Sequence, residues 1–407
     1  MMPNLIVFSH LRWNFVYQRP QHLLSRLAKE WKVWFVEEPM KDEGEPFLER
    51  IQACDNVEVL RPHTPHEAPG FHDDQLPALG ALVERFIAEE RIRDYAVWFY
   101  TPMALPLLQA LEPVKVIYDC MDELSHFRNA PKQLLQRENA LMKIADVVFT
   151  GGPSLYRAKK DRHPNVHCFP SSVDAAHFAP RGEAAGDAVH PGIPHPRIGF
   201  FGVIDERLDP ELVAAVADAD PSWQVVMVGP VVKIDPGSLP ERPNLHWMGP
   251  REYRDLPSFA AGWDVCMMPF ALNESTKFIS PTKTLEYMAA GRPVVSTPIT
   301  DVVDPYSHVV EIAATPTEFV DACRRLLAED GPARQRRARA MQDVVETTSW
   351  DATARAMADL MRTASPAARS EAAEAVLAPG VMGGMRRTEP VTARGAVKGG
   401  AAASAGG

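Results

Sequence analysis

The chain has 407 residues, 46% of them apolar and 24% charged, and carries a net charge of −10. This is the composition of an ordinary soluble globular protein long enough for two cores, and the acidic balance excludes a general nucleic-acid binder, which needs a basic face. The five cysteines, Cys54, Cys120, Cys168, Cys266 and Cys323, include no CxxC pair, and neither a basic leader nor a membrane-length apolar run is seen. No zinc site or disulfide framework is therefore expected, and a cytoplasmic location is.

In chain order, Leu5–Ser9, Val33–Glu37, Val57–Leu60, Ala96–Tyr100, Val114–Asp119, Asp146–Thr150 and Asn165–Phe169 read as strands. Helical patterns lie between several of them, at Pro20–Glu30, Leu76–Glu90 and Pro131–Ala145. Such alternation predicts a parallel sheet with helices on both faces. The stretch Asp174–Pro196 is rich in Ala, Gly and Pro without apolar periodicity and reads as a linker. A second series follows, with strands at Arg197–Gly202, Gln224–Gly229, Leu245–Met248, Val265–Met268, Pro293–Thr297 and Val309–Ile312. Its helices fall at Glu211–Ala217, Pro281–Ala290 and Pro316–Ala328. The arginine cluster RQRRAR after Gly331 reads as a solvated helix face. From Ser365 the composition becomes mostly Ala and Gly, too poor in large apolar side chains to fold.

Ligands in parallel sheets bind at the carboxyl ends of strands. After the first strand, SHLRWNFVYQRPQHLLSRL crowds His10, Arg12, Trp13, Gln18, Arg19, Gln21 and His22 into a turn without the glycines of a dinucleotide loop. A functional loop is expected there; the alternative is an aromatic plug with Arg19 in a surface ion pair. After the fifth strand, DCMDELSHF brings Asp119 close to Asp122, with Glu123 and His126 beyond. These groups could orient a sugar hydroxyl or do acid–base work, or Asp122 could cap a helix. The triplet Asp218–Ala219–Asp220 falls at the wrong edge of the sheet for a ligand and is read as accidental.

In the second series Gly202 lets the chain turn sharply, and Arg207 follows where a loop could aim it at a helix further on. Gly229 and Gly249 close the next two strands and would flank the same cleft. The most informative segment is FISPTKTLEYMAAGRPVVST, Phe278–Thr297. Ser280 is a candidate N-cap, Pro281 a first helical residue and Gly291 a left-handed residue past the helix end. Lys283 and Glu286 share a face in the first two turns, with Thr282 beside them. A helix N-terminus with a lysine attracts a diphosphate, and a carboxylate can accept two hydrogen bonds from a sugar diol. A capped helix that binds nothing is the alternative.

Taken together, these segments resemble the retaining glycosyltransferases of the GT-B fold, the group often called family four. The likeness is carried by TKTLEYMAAGRPVVST, by FTGGPSLY with CFPSSVDAAHF, and by GFFGVIDER with WQVVMVGP, and it extends over residues 4–363. It implies a nucleoside-diphosphate-sugar donor, an acceptor bound mainly by the first domain, retention of anomeric configuration, and a helix near Trp350 crossing back to the first domain. Glu286 matches the family's ribose-holding glutamate and Arg207 its diphosphate-binding residue. Phe278 stands where the family has a glutamate for the donor sugar, and WNFVYQRPQH replaces its glycine-rich first loop. In both departures the chain resembles bacterial teichuronic-acid and other surface-polysaccharide transferases.

The expectation is therefore an α/β protein of GT-B type, with two Rossmann-like doubly wound domains facing a central cleft. Residues 1–180 form the acceptor-side domain, 181–196 a linker, 197–346 the nucleotide-sugar domain, 347–364 the crossing helix and 365–407 a disordered tail. The expected reaction is retaining, metal-independent transfer to a glycan or lipid-linked acceptor, with no cofactor beyond the donor. Arg207, Lys283 and Asp119 are assigned to catalysis, and Glu286, Lys283, Arg207, Gly202, Thr282 and Gly229 to the nucleotide. Arg12, Arg19, His22 and Asp122 are assigned to the acceptor side. No nucleic-acid partner is expected, and contact with the inner face of a membrane stays open. A nucleotide-sugar epimerase and a non-catalytic scaffold of a polysaccharide-synthesis complex are the alternatives, the scaffold resting on Phe278.

Overall fold

The computed structural model describes residues 2–180 and 182–364; the tail expected to be disordered, 365–407, lies outside the described residues. Among the described residues a first sheet of nine strands comprises β1 (Asn4–Phe8), β2 (Lys32–Val36), β3 (Met40–Lys41), β4 (Phe47–Cys54), β5 (Val57–Thr64), β6 (Tyr95–Phe99), β7 (Lys115–Cys120), β8 (Val147–Thr150) and β9 (Val166–Cys168). Its order is β3-β5-β2-β1-β6-β7-β8-β9, with β4 antiparallel on β5. Helices α1 (Arg19–Leu27), α2 (Leu76–Glu89), α3 (Leu134–Ile144) and α4 (Pro153–Lys159) belong to this half.

Strands buried on both faces need apolar side chains at every position, not at alternate ones. In β1, Ile6 and Phe8 join a core with α2 and α3, while Leu5 and Val7 join a core with α1 on the opposite face. The strand β4 has no such signature. It is a half-exposed edge strand carrying Glu49, Arg50 and Gln52, and sequence reasoning missed it.

The expected linker is partly helical: α5 (Ala175–Phe178) and α6 (Glu183–Ala188) lie within it. A Cβ on Gly186 would come within 2.4 Å of the Gly262 backbone. Its small residues thus serve close packing on the second half, which corrects the reading of a featureless connector.

The second sheet comprises β10 (Arg197–Phe201), β11 (Gln224–Val228), β12 (Leu245–Trp247), β13 (Val265–Met268), β14 (Val294–Ser296) and β15 (Glu311–Ile312). It is parallel in the order β12-β11-β10-β13-β14-β15. Helices α7 (Pro210–Ala219), α8 (Leu256–Ala261), α9 (Thr282–Ala289), α10 (Thr300–Tyr306), α11 (Pro316–Leu327) and α12 (Gly331–Glu346) accompany it. The order reverses at β10 and β13, a switch point whose carboxyl ends open a crevice.

The last helix, α13 (Trp350–Thr363), packs on α1 and the β1 face of the first sheet. Buried Trp350 stacks on His22 at 4.8 Å and 7°, and Asp351 pairs with Arg26 at 3.0 Å. Further contacts link the halves: the Ser154 amide donates to Asp301 Oδ1 at 3.0 Å, and Arg157 pairs with Asp304 at 2.9 Å. No helix among the described residues is long and apolar enough to cross a membrane.

Candidate active site between the two sheets

The second-sheet side begins with two glycines. Gly202 directly follows β10 and Gly229 directly follows β11, both at φ +146, which a side chain would strain. A Cβ on Gly202 would sit 2.2 Å from Lys283 Cε, and one on Gly229 would sit 1.8 Å from the Gly202 carbonyl oxygen. The bare Gly202 leaves room for Lys283, and the bare Gly229 lets the two strand-end loops touch.

Lys283 projects from the second residue of α9. The structure moves the helix start by one residue: Pro281 is the N-cap, Thr282 the first helical residue, and no side chain caps this turn. Ser280 instead gives its carbonyl oxygen to the Ser171 hydroxyl at 2.7 Å. The shift follows from the extended backbone of Pro281, ψ 119; the Thr284 amide donates to the Pro281 carbonyl at 3.3 Å, and the Thr282 and Lys283 amides lead the turn. The Lys283 ammonium lies 5.5 Å from the Phe200 ring and 5.6 Å from the Phe270 ring. Burial, reinforced by Arg207, lowers its pKa. Glu286, one turn on and 6% exposed, is shifted up by burial against the pull of Lys283.

Arg207 is set by a short local fork: its guanidinium meets Asp205 at 2.9 Å through Nε and 2.7 Å through Nη2. Its other face lies 5.6 Å from the ring of Phe127, which comes from the first half of the chain. Asp122, two residues past the end of β7, feels the charge of the same guanidinium. Burial raises the Asp122 carboxyl to about 6, against the charges of Arg207 and Arg19. The structure thus brings together Gly202, Gly229, Thr282, Lys283, Glu286, Arg207 and Asp122 at the facing strand ends.

The remaining expected residues lie elsewhere. Arg19 and Asp119 form an internal bidentate pair, 3% and 0% exposed, with both bonds at 2.9 Å. Arg19 also donates to the Phe169 carbonyl at 2.7 Å. The pair ties the first turn to β7 and is buried, so the structure offers neither Arg19 as a free acceptor-side cation nor Asp119 as a free catalytic carboxylate, the roles expected of them. His22 is buried against Trp350 and Tyr253, and burial lowers its pKa to about 3. It is part of the clasp on α13 and does not face the cleft. Arg12 is drawn to Glu37 at 3.1 Å and to the Glu38 carbonyl. Within the same turn Gln21 donates to the Trp13 and Val16 carbonyls, so the crowded loop is braced from inside. Asp218 pairs with Arg242 at 2.6 Å and Asp220 holds Ser222, in keeping with an accidental DxD triplet.

Sequence reasoning missed Asp205, Phe127, Lys233 and Tyr253. Tyr253, beyond β12, stacks on Tyr17 of the first half at 4.4 Å and on His177 at 4.3 Å. Its hydroxyl is buried without a partner among the described residues, and burial followed by Glu286 raises its pKa. Asp205 had a signal, its spacing of two from Arg207; a loop tyrosine and a loop phenylalanine had none.

Residues 195–329 match the family described as "Glycosyl transferases group 1". This chain is a glycosyltransferase. It is 26% identical over 276 residues, 62% of this chain and 68% of the other, to TuaH of Bacillus subtilis (strain 168), a protein assigned by name to teichuronic acid biosynthesis as a glycosyltransferase. Sucrose-phosphate synthase from Thermosynechococcus elongatus superposes with a TM-score of 0.69 at 17% identity, covering 88% of this chain and 98% of that one. Anabaena Alr3699/HepE, solved with UDP and glucose, gives 0.63 at 16% identity, covering 89% and 100%. The fold is GT-B.

Proposed function

We propose that this glycosyltransferase moves a sugar from a nucleoside diphosphate to a glycan or lipid-linked acceptor, with retention and without a divalent metal. The observation that carries the reading is Lys283 at the uncapped first turn of α9, with Arg207 and Glu286 around the same glycine-lined strand ends. A diphosphate would accept from the leading N–H groups of α9, at Thr282 and Lys283, and the glutamate would accept from the ribose diol. The UDP recorded in the HepE structure, and the UDP-2-fluoro glucose recorded with the E. coli trehalose-6-phosphate enzyme, support this choice of donor class. The name of TuaH supports a surface polysaccharide as the product.

In this mechanism the bond from C1 to the diphosphate oxygen breaks first, so the barrier is mostly charge separation. Lys283, Arg207 and the α9 N-terminus receive the negative charge on the leaving group, each such contact being worth about 3 kcal/mol or roughly a hundredfold in rate. The acceptor oxygen bonds C1 from the face the leaving group vacates, and its proton passes to the departing diphosphate. Asp122, raised to about 6 and ionised at neutral pH, orients the acceptor hydroxyl, the acceptor-side role expected of it from the sequence.

A thermal-shift panel of nucleoside diphosphates and their sugars tests the donor, since a ligand at a hundred times its dissociation constant adds about 2.7 kcal/mol of stability. A panel without any shift would refute the reading. Product anomer by NMR tests retention, and loss of turnover in EDTA would refute metal independence.

A further inference from the structure

We infer that Phe127 is a positioning residue that makes the enzyme choose acceptor over water. The inference rests on the donor reading above. The loop after β7, residues 121–128, leaves the first half of the chain and reaches across the cleft. Its root is fixed by Glu123, which meets buried Lys159 at 2.5 Å, and Lys159 in turn meets Glu138 at 2.7 Å. Further out, His126 Nδ1 lies 3.4 Å from Glu274 Oε2 and its ring 5.4 Å from that of Phe278. Phe278 packs on the core of the first half, so this position serves the contact between the two halves.

Phe127 follows directly. Its ring lies 5.6 Å from the Arg207 guanidinium and 5.6 Å from the Lys233 ammonium, two cations on different loops of the second half. A phenyl ring over a cation offers a weak electrostatic partner and removes hydration from that face. This has a chemical consequence once the C1–oxygen bond begins to break, because the electron-poor C1 accepts either oxygen nucleophile. If water attacks, its oxygen bonds C1, the bond to the diphosphate breaks, the water proton goes to the released diphosphate, and free sugar results. A ring that keeps water from the Arg207 side of the cleft suppresses that outcome.

The test uses the full chain with Phe127→Ala, Phe127→Leu and Phe127→Tyr. Nucleoside diphosphate release is measured without acceptor from UDP-glucose, UDP-N-acetylglucosamine, GDP-mannose and dTDP-glucose. UDP, GDP and dTDP affinities are read by thermal shift. For the best donor we expect Phe127→Ala to raise acceptor-free release about tenfold, Phe127→Leu to raise it less, and Phe127→Tyr to stay near wild type, all with unchanged diphosphate affinity. Release unchanged or reduced in both Ala and Leu variants, with diphosphate binding intact, overturns this inference alone. A wild-type protein that binds none of UDP, GDP and dTDP overturns the donor reading and this inference with it. If Phe127→Ala does not fold, Phe127→Leu decides.

Discussion

Replacing Lys283 by methionine keeps an unbranched side chain of similar length and removes the charge. In the free protein that charge is poorly placed, held among Phe200, Phe270 and Arg207 with its pKa lowered chiefly by burial. The unfolded chain therefore holds the lysine proton more tightly than the folded one. The resulting penalty is present at neutral pH and is relieved as pH rises from the folded value toward 10.5. Methionine removes it, and exchanging a poorly solvated charge for an apolar group of similar volume is expected to add about 1 kcal/mol. In a protein with domains of this size that raises the melting temperature by about 2–4 °C. Catalysis moves the other way: the departing diphosphate loses one preorganised cation, about 3 kcal/mol, so turnover falls roughly a hundredfold. One preparation serves both measurements, a fluorescence melt with and without UDP and a turnover assay on the donor found in the panel. Turnover within about threefold of wild type would refute the assignment of Lys283 to the leaving group. A melting temperature lowered by several degrees would instead show that the charge supports the fold.

Arg19→Ala leaves Asp119 buried and unpaired and is expected to cost about 3–5 kcal/mol in urea unfolding, with the Arg19→Ala/Asp119→Ala double variant costing less than the sum of the singles. Additive losses would refute the internal pair. His22 is neutral in the fold at about 3 and near 6.5 when unfolded, so the unfolded chain takes up its proton first and His22-linked stability is lost as pH falls from 6.5 toward 3. The melting-temperature difference between wild type and His22→Phe should therefore shift against wild type across that window; a constant difference would refute it. Asp122, raised to about 6, should make turnover climb as pH passes 6, and Asp122→Asn should flatten that limb while leaving UDP affinity unchanged. A limb unaltered in the variant assigns the titration to another group.

Two parallel α/β sheets were legible because doubly buried strands write themselves as unbroken apolar runs, as in LIVF and QVVMV. The nucleotide half was legible for a similar reason. Gly202, Gly229, Lys283 and Glu286 answer to local demands, a tight turn or a helix face, and a local demand leaves a fixed spacing. The edge strand β4 was not legible, since its half-exposed face mixes charge with apolar residues, nor was the helix in the expected linker, where Ala and Gly answer to packing against Gly262.

By itself, then, the sequence determined two doubly wound halves and the cation and carboxylate of α9, because both arise from contacts a few residues apart. Only the tertiary structure decided the fate of the first turn. Arg19 meets Asp119 across 100 positions and His22 meets Trp350 across more than 300, so spacing alone could not distinguish a buried brace from an acceptor site. The same limit hid Phe127. Its partners, Arg207 and Lys233, lie on the other half of the chain, and only the packing of the two halves puts one ring against both.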